Sequence, residues 1–144
     1  MERTLAIIKT DGVAGGHIGE VVSRCERAGL AVRGLKMMWM TPAQARGFYA
    51  VHRERPFFQS LTAFMSSGPS VVMVLEGKGA IARWRTLMGA TDPAKADPGT
   101  IRRDLASSIE QNVVHGSDSA DSARFEIPYF FPGYELFGDG DPPA

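Results

Sequence analysis

The sequence predicts an α+β fold in which a four-stranded antiparallel sheet is covered by helices. Three observations carry that prediction. Short apolar runs bounded by Gly, Pro or Asp-containing turns read as strands, and amphipathic stretches with capping signals lie between them. Two helical stretches occur in a row near the middle of the chain, which breaks a simple strand-helix alternation. A long Pro/Gly loop then separates the helix that ends at Met88 from the short helix that precedes the last strand.

The first run, Thr4-Leu-Ala-Ile-Ile-Lys9, is closed by Thr10-Asp-Gly12 and reads as a buried strand ending in a turn, with Lys9 at its mouth. After Gly15-Gly16, the residues Ile18, Val21, Val22 and Cys25 mark one face of a helix that Gly29 can end in a left-handed cap. Residues 31–40, rich in Val, Leu, Met and Trp, supply the next strand. Thr41-Pro42-Ala43-Gln44 then combines an N-cap, a proline at the first helical position and a capping-box glutamine. That helix carries Phe48 and Tyr49 and should stop before Pro56, because a residue preceding proline avoids helical backbone. A second helical piece covers about residues 57–65. Ser67-Gly-Pro69 breaks the chain before Ser70-Val-Val-Met-Val-Leu-Glu76, the clearest strand, and a helix follows through Trp84 to Met88. Asp92-Pro93 and Asp97-Pro98-Gly99 exclude regular structure between residues 89 and 100, leaving a loop long enough to suspect a lid or clamp. A short helix over residues 101–109, a strand at Val113-Val114 and a helix over residues 119–126, stopped by Pro128, complete the chain. Regrouped, these elements form β-α-β-β-α-β with helical and loop insertions, the ferredoxin-like plan. Residues 1–144 are expected to form one domain, with a frayed tail over 138–144.

Composition narrows the function. Sixteen basic residues balance sixteen acidic ones, so there is no global positive field of the kind that recruits nucleic acid or anionic membranes. Any anion site must be local. One cysteine, Cys25, cannot make an intrachain disulfide, and no secretory leader or run of about 20 apolar residues is present, which suits a soluble protein of the reducing cytoplasm. Cys25 reads as a small core hydrophobe. Cys-x-x-Cys, His-x-x-x-His and His-Glu-x-x-His are all missing, so a metal cage built from protein side chains is not expected.

The chemistry concentrates in Asn112-Val-Val-His-Gly-Ser-Asp-Ser119, where an apolar run delivers one imidazole to a turn that can open a helix. Neutral imidazole is a good nucleophile near pH 7, and a carboxylate such as Glu126 can fix its tautomer and leave the other nitrogen free. A hydrogen-bonded histidine without chemistry is the bland alternative. His17 and His52 compete with His115, but both sit near helix ends and read as surface residues. Arg85 before the long loop, Arg102 and Arg103 after it, and the hydroxyls of Thr91 and Thr100 resemble an anion clamp, since guanidinium groups bond phosphate in bidentate fashion. Each of these alone is an ordinary surface residue. Lys9, Asn112 and Tyr49 are further polar candidates, and Phe57 or Phe58, if exposed, would make a stacking platform for a base. Gly77-Lys-Gly-Ala-Ile-Ala82 matches a dinucleotide-binding fingerprint, but Asp97 lies in a Pro/Gly loop and not at the end of a second parallel strand. Phosphate-loop and protein-kinase signatures are absent.

Together these residues identify a resemblance: the chain closely resembles the nucleoside diphosphate kinases over nearly its whole length. The resemblance rests on the Asn112–Ser119 motif, on Ala90-Thr-Asp-Pro-Ala-Lys-Ala-Asp-Pro-Gly-Thr-Ile-Arg102, on Arg55-Pro-Phe-Phe58, on Ser67-Gly-Pro69 and on Ile7-Ile-Lys-Thr-Asp-Gly-Val13. It implies that His115 takes the γ-phosphate of a nucleoside triphosphate, mainly ATP, and passes it to a nucleoside diphosphate in a ping-pong reaction. It further implies that Lys9 and Asn112 bind sugar hydroxyls and phosphate, that Tyr49 lies near the histidine and that Phe57 stacks on the base. Arg85, Thr91 and Arg102 would hold phosphates, Glu126 would orient the imidazole, and Mg²⁺ would arrive on the nucleotide. A homo-oligomer built from dimers, tetramer or hexamer, is implied as well. The chain departs from the family pattern at Thr10, Gly15 and Ala90, none of them a proposed catalytic group. A nucleotide-binding regulatory module that has kept the pocket is the alternative.

Overall fold

Alternation along two central strands sets the architecture. The structure, a computed structural model, describes residues 1–138. Strand β1 (Glu2–Ile8) sends Leu5 and Ile7 to one face and Ala6 and Ile8 to the other, all fully buried. Strand β3 (Ser70–Gly77) divides Val72 and Val74 from Val71, Met73 and Leu75 in the same way. Because successive side chains point to opposite faces, two unbroken apolar runs require cover on both sides of the sheet. Strands β2 (Ala31–Met38) and β4 (Val114–Gly116) flank them in the order β2-β3-β1-β4, every neighbouring pair antiparallel.

On one face, Val21 and Cys25 of α2 (Ile18–Arg27), Ala80, Trp84 and Met88 of α5 (Ala80–Met88) and Ile101 of α6 (Ile101–Leu105) pack on Ala6, Ile8 and Met73. On the other, Ala45 and Phe48 of α3 (Pro42–Phe48), Met65 of α4 (Phe58–Met65) and Phe130 of α7 (Ala120–Phe130) pack on Leu5, Ile7 and Val74. The order β1-α2-β2-β3-α5-β4 is the ferredoxin-like plan, with α3, α4 and α7 covering the face that the plan alone would leave bare. Thr41 closes the expected capping box with Gln44 at the start of α3. Cys25 is a free, buried thiol pushed up to about 12 by burial. No helix among the described residues is long and apolar enough to cross a membrane.

Four local expectations need correction. Thr10-Asp-Gly12 is not a simple turn but part of a short helix, α1 (Thr10–Ala14), too brief and too glycine-rich to show periodicity. The helix expected over 101–109 ends at Leu105, because Ser108 Oγ accepts from the Gln111 N–H and the Ser107 and Ser108 amides turn back to the Gln111 carbonyl. Pro128 does not stop α7: burial of Phe130 carries the helix past it, at the cost of the one N–H that proline lacks. The loop over 89–100 contains a 3₁₀ turn at Pro93–Lys95, capped by Asp92. The tail expected to fray over 138–144 lies outside the described residues beyond Gly138.

Candidate active site

His115 pairs across the sheet with Ile7, so its imidazole emerges on the face covered by α3 and α7. Phe48 and Tyr49 stand edge-on to it, with ring centroids 5.3 and 5.9 Å away. Its Nε2 lies 2.9 Å from Glu126 Oε1 on α7, and Ser117 Oγ donates to the same oxygen at 3.1 Å while accepting from the Leu5 N–H. A carboxylate on Nε2 favours the tautomer with its proton there and leaves the lone pair on Nδ1. Behind the strand, Trp84 Nε1 donates to the His115 carbonyl at 3.1 Å. The imidazole is therefore held from its ring, its backbone and its partner carboxylate.

It opens onto a cleft of about 440 Å³ whose walls include Lys9, Tyr49, Phe57, Arg85, Thr91, Arg102 and Asn112. Residues far apart in sequence, proposed on separate grounds, thus share one cavity. Lys9, at the end of β1, is only 6% exposed, and its Nζ donates to Asn112 Oδ1 and to the Glu110 carbonyl, both at 2.9 Å. Asn112 in turn donates to the Thr91 carbonyl at 3.2 Å, which ties the strand end to the long loop. Burial pulls the Lys9 ammonium down to about 8, and the Arg102 charge adds to that pull against Asp11 and Glu110. Arg102 is 8% exposed and is pulled down to about 10 by burial and by Arg85. Burial, with the nearby Glu126 charge, pushes the Tyr49 phenol upward, so its hydroxyl keeps its proton.

The expected anion clamp divides into two parts. Arg102 reaches the cleft, and its guanidinium also donates to the carbonyls of Gly89 and Val114. Arg103 instead donates to the carbonyls of Ala94 and Ala96, and Thr100 caps α6. These two brace the loop from below and do not line the cleft. Gly89, at φ +86°, begins that loop, and a side chain there would meet Thr100 Oγ1 at 2.5 Å. Arg85 is half-exposed and pairs with Asp118 at 2.7 Å, a surface pair worth at most about 1 kcal/mol and hence readily exchanged for phosphate. Phe57 is 45% exposed at the rim, whereas Phe58 packs on the core.

His52 is not a free surface residue: it lines the cleft, its ring 5.6 Å from Phe57. His17 precedes α2, away from the cleft. Sequence reasoning missed Ser117, Glu110 and Asp118, of which Ser117 and Asp118 lie inside the motif around His115 and were open to notice. Between Asn112 and the strand, Val113 adopts φ +72°, a strained conformation costing of order 1–3 kcal/mol in a β-branched residue. The dinucleotide reading fails in space, because β3 pairs antiparallel on both sides and Gly77–Gly79 opens no parallel βαβ unit. Among the described residues, no group of three or more His, Cys, Asp or Glu side chains is placed to hold a metal ion.

Comparison with known proteins gives the family. Residues 2–136 match the family described as nucleoside diphosphate kinase. A nucleoside diphosphate kinase of Desulfosudis oleivorans is 67% identical over 138 residues, 96% of this chain and 99% of the relative. One from Anaeromyxobacter sp. strain Fw109-5 is 62% identical over 91% of this chain and 90% of the relative. Among solved structures, the Aquifex aeolicus nucleoside diphosphate kinase superposes with a TM-score of 0.93 at 45% identity, covering 94% of this chain and 99% of that one. A halophilic nucleoside diphosphate kinase from Halobacterium salinarum in complex with CDP has the same TM-score at 43% identity, covering 97% and 93%. Fold and relatives together define an α+β phosphotransferase. The chain belongs to the nucleoside diphosphate kinase family.

Proposed function

We propose that the chain moves the γ-phosphate of a nucleoside triphosphate, mainly ATP, to a nucleoside diphosphate through a phosphohistidine on Nδ1 of His115. The observation that carries this reading is the engagement of Nε2 by Glu126, which leaves the other ring nitrogen free on a residue that lines one cleft with Lys9, Arg85 and Arg102. In the first half-reaction the Nδ1 lone pair attacks the γ-phosphorus, the bond to the bridging β–γ oxygen breaks, and the nucleoside diphosphate leaves with the electron pair. In the second, a β-phosphate oxygen of the acceptor attacks the same phosphorus and the P–N bond breaks. The proton on Nε2 stays against Glu126 throughout, where the carboxylate stabilises positive charge developing on the ring.

Phosphoryl transfer depends on in-line positioning and charge neutralisation more than on further covalent help. Arg85, Arg102 and Thr91 supply donors for phosphate oxygens, Lys9 and Asn112 supply them for sugar hydroxyls and the adjoining phosphate, and Tyr49 walls the imidazole. These cationic donors suit phosphates that carry their own Mg²⁺ in with them. When bound, that ion neutralises phosphate charge. Donor and acceptor occupy one pocket in turn, so double-reciprocal plots of initial rate against one nucleotide at several levels of the other should give parallel lines. Intersecting lines would overturn the ping-pong reading.

Phe57 offers a π-face without reading any base edge. Phe57→Ala should therefore weaken ADP, GDP and CDP to a similar extent, by about 1–3 kcal/mol each in calorimetric titration. That the Halobacterium salinarum relative was solved with CDP agrees with a pocket open to pyrimidines. Loss confined to one base would contradict stacking.

The charge on Lys9 sets a pH window. Its folded value lies below its ordinary one, so the ammonium is present below about pH 8 and is lost as pH rises through that value. Nucleoside diphosphate affinity should hold between about pH 7 and 8 and fall above it, while Arg102 remains charged. A Lys9→Met variant should lose affinity at pH 7 and lack the fall.

We also propose a homo-oligomer, a tetramer or hexamer built from dimers, acting in the cytoplasm. Strand β2 is a sheet edge, and Leu35 and Met37 on it and Trp39 just beyond are all exposed at alternate positions, a row that pairing with a second copy would cover.

A further inference from the structure

Three contacts from one short segment converge on Val113. The Val114 N–H bonds to the Asn112 carbonyl at 2.8 Å, closing a three-residue turn with Val113 at its centre and φ at +72°. Such a turn is rare and strained, and a β-branched residue is poorly suited to it. Strain of this kind persists only where the surroundings over-determine it. Here Asp11 Oδ2 accepts from the Val113 N–H at 3.0 Å, and the Lys9 N–H donates to the Val113 carbonyl at 2.7 Å. Gly12 lies so close that an added Cβ would meet Ile8 Cγ2 at 2.8 Å, Val113 Cγ1 at 3.0 Å and the Val113 carbonyl oxygen at 3.1 Å. Asn112 lies on one side of this turn and His115 on the other, so its shape sets the spacing between the amide that touches Lys9 and the imidazole.

Accepting one N–H does not require a charge, since a neutral asparagine oxygen also accepts, though more weakly. Yet the second carboxylate oxygen, Oδ1, is buried and accepts no hydrogen bond. A buried charged oxygen without donors is costly unless its charge is used. Lys9, two residues before Asp11 and almost fully buried, is a cation whose ammonium this charge favours.

We propose that Asp11 is a positioning residue with two tasks: Oδ2 holds the Val113 turn that spaces Asn112 from His115, and the carboxylate charge balances the buried ammonium of Lys9. The proposal rests on the reading that Lys9, Asn112 and His115 handle the nucleotide. The charged groups that face Lys9 are Asp11 from α1, Glu110 from the segment before β4 and Arg102 from α6, while Phe64 of α4 lays its ring 5.6 Å from Nζ. Asp11 and Glu110 favour the ammonium and Arg102 opposes it.

Two substitutions separate the tasks. Asp11→Asn keeps an acceptor for Val113 and removes the charge, whereas Asp11→Ala removes both. For Asp11→Asn, the pH at which nucleoside diphosphate affinity falls should move below the wild-type value near 8, by on the order of one unit, with kcat at pH 7 closer to wild type than to Asp11→Ala. For Asp11→Ala, kcat should fall on the order of 10- to 100-fold as well, the penalty of a misplaced reacting group. An Asp11→Asn affinity profile superimposed on wild type would overturn the charge task, and a folded Asp11→Ala enzyme with wild-type kcat would overturn the turn task. Should Asp11→Ala fail to fold, Gly12→Ala, which presses on Ile8 and Val113 together and leaves the charge in place, tests the turn: lowered kcat with an unmoved pH profile supports it, unchanged kcat overturns it. Wild type treated with γ-labelled ATP in parallel isolates the reading beneath. Absence of label there would sink the phosphohistidine and leave Asp11 to be judged by the binding profiles alone, which involve no transfer.

Discussion

His115→Ala should abolish phosphoryl transfer, lowering kcat on the order of 10⁴-fold or more, while ADP still binds within a few-fold of wild type. Among the described residues that line the cleft, His115 is the one whose ring is held by a carboxylate at one nitrogen, which leaves the other for attack. His52 lies in the same cleft but beside Phe57 at the base-binding rim, so it is badly placed to substitute. Binding survives because the groups proposed for sugar, base and phosphate belong to other residues. Glu126→Gln should give an intermediate loss: the amide still meets Nε2, but it no longer stabilises positive charge on the ring. Rapid-quench kinetics and calorimetry on the two variants read these outcomes separately. A His115→Ala enzyme that retains transfer would return the protein to the class of nucleotide-binding modules with chemistry elsewhere.

Trp84→Ala should be the most damaging core substitution, destabilising the protein by about 3–5 kcal/mol and lowering Tm by about 10–20 °C. Trp84 is fully buried between α5 and the sheet, and Gly116 lies so close that an added Cβ there would meet its ring at 2.6 Å. Its indole N–H also holds the His115 carbonyl, so truncation removes packing volume and a site contact together. Against a total stability of about 5–15 kcal/mol the loss is large. Differential scanning calorimetry measures it, and ATP added to the folded fraction should recover part of it, since ligand binding stabilises the native state. A Tm within a few degrees of wild type would show that the α5 face repacks far more freely than this geometry implies.

Much of the fold was legible because its strands are extreme cases. β1 and β3 are buried on both faces, so they read as unbroken apolar runs, and α3 announces itself through a complete capping box. What escaped was short or settled by distant contacts. α1 has five residues, and the persistence of α7 through Pro128 depends on where Phe130 packs, which no local pattern encodes. At the site, residue types and motif spacing pointed to Lys9, Arg85, Arg102, Asn112 and His115, and the structure brings them to one cleft. Residue type alone did not divide Arg102 from Arg103, which the family resemblance did, because neighbouring arginines on a helix carry the same chemistry and differ only in the direction they face. One enters the cleft and the other braces the loop. The Asp11–Val113 contact joins residues 102 positions apart and leaves no trace in either local sequence.

The most direct test of the central claim is to mix the protein with Mg²⁺ and γ-labelled ATP without an acceptor, then add GDP. The account predicts label on His115, stable to base and labile to acid as a phosphorus–nitrogen bond should be, which leaves the protein as labelled GTP. A folded protein that binds ATP yet takes up no label would contradict it.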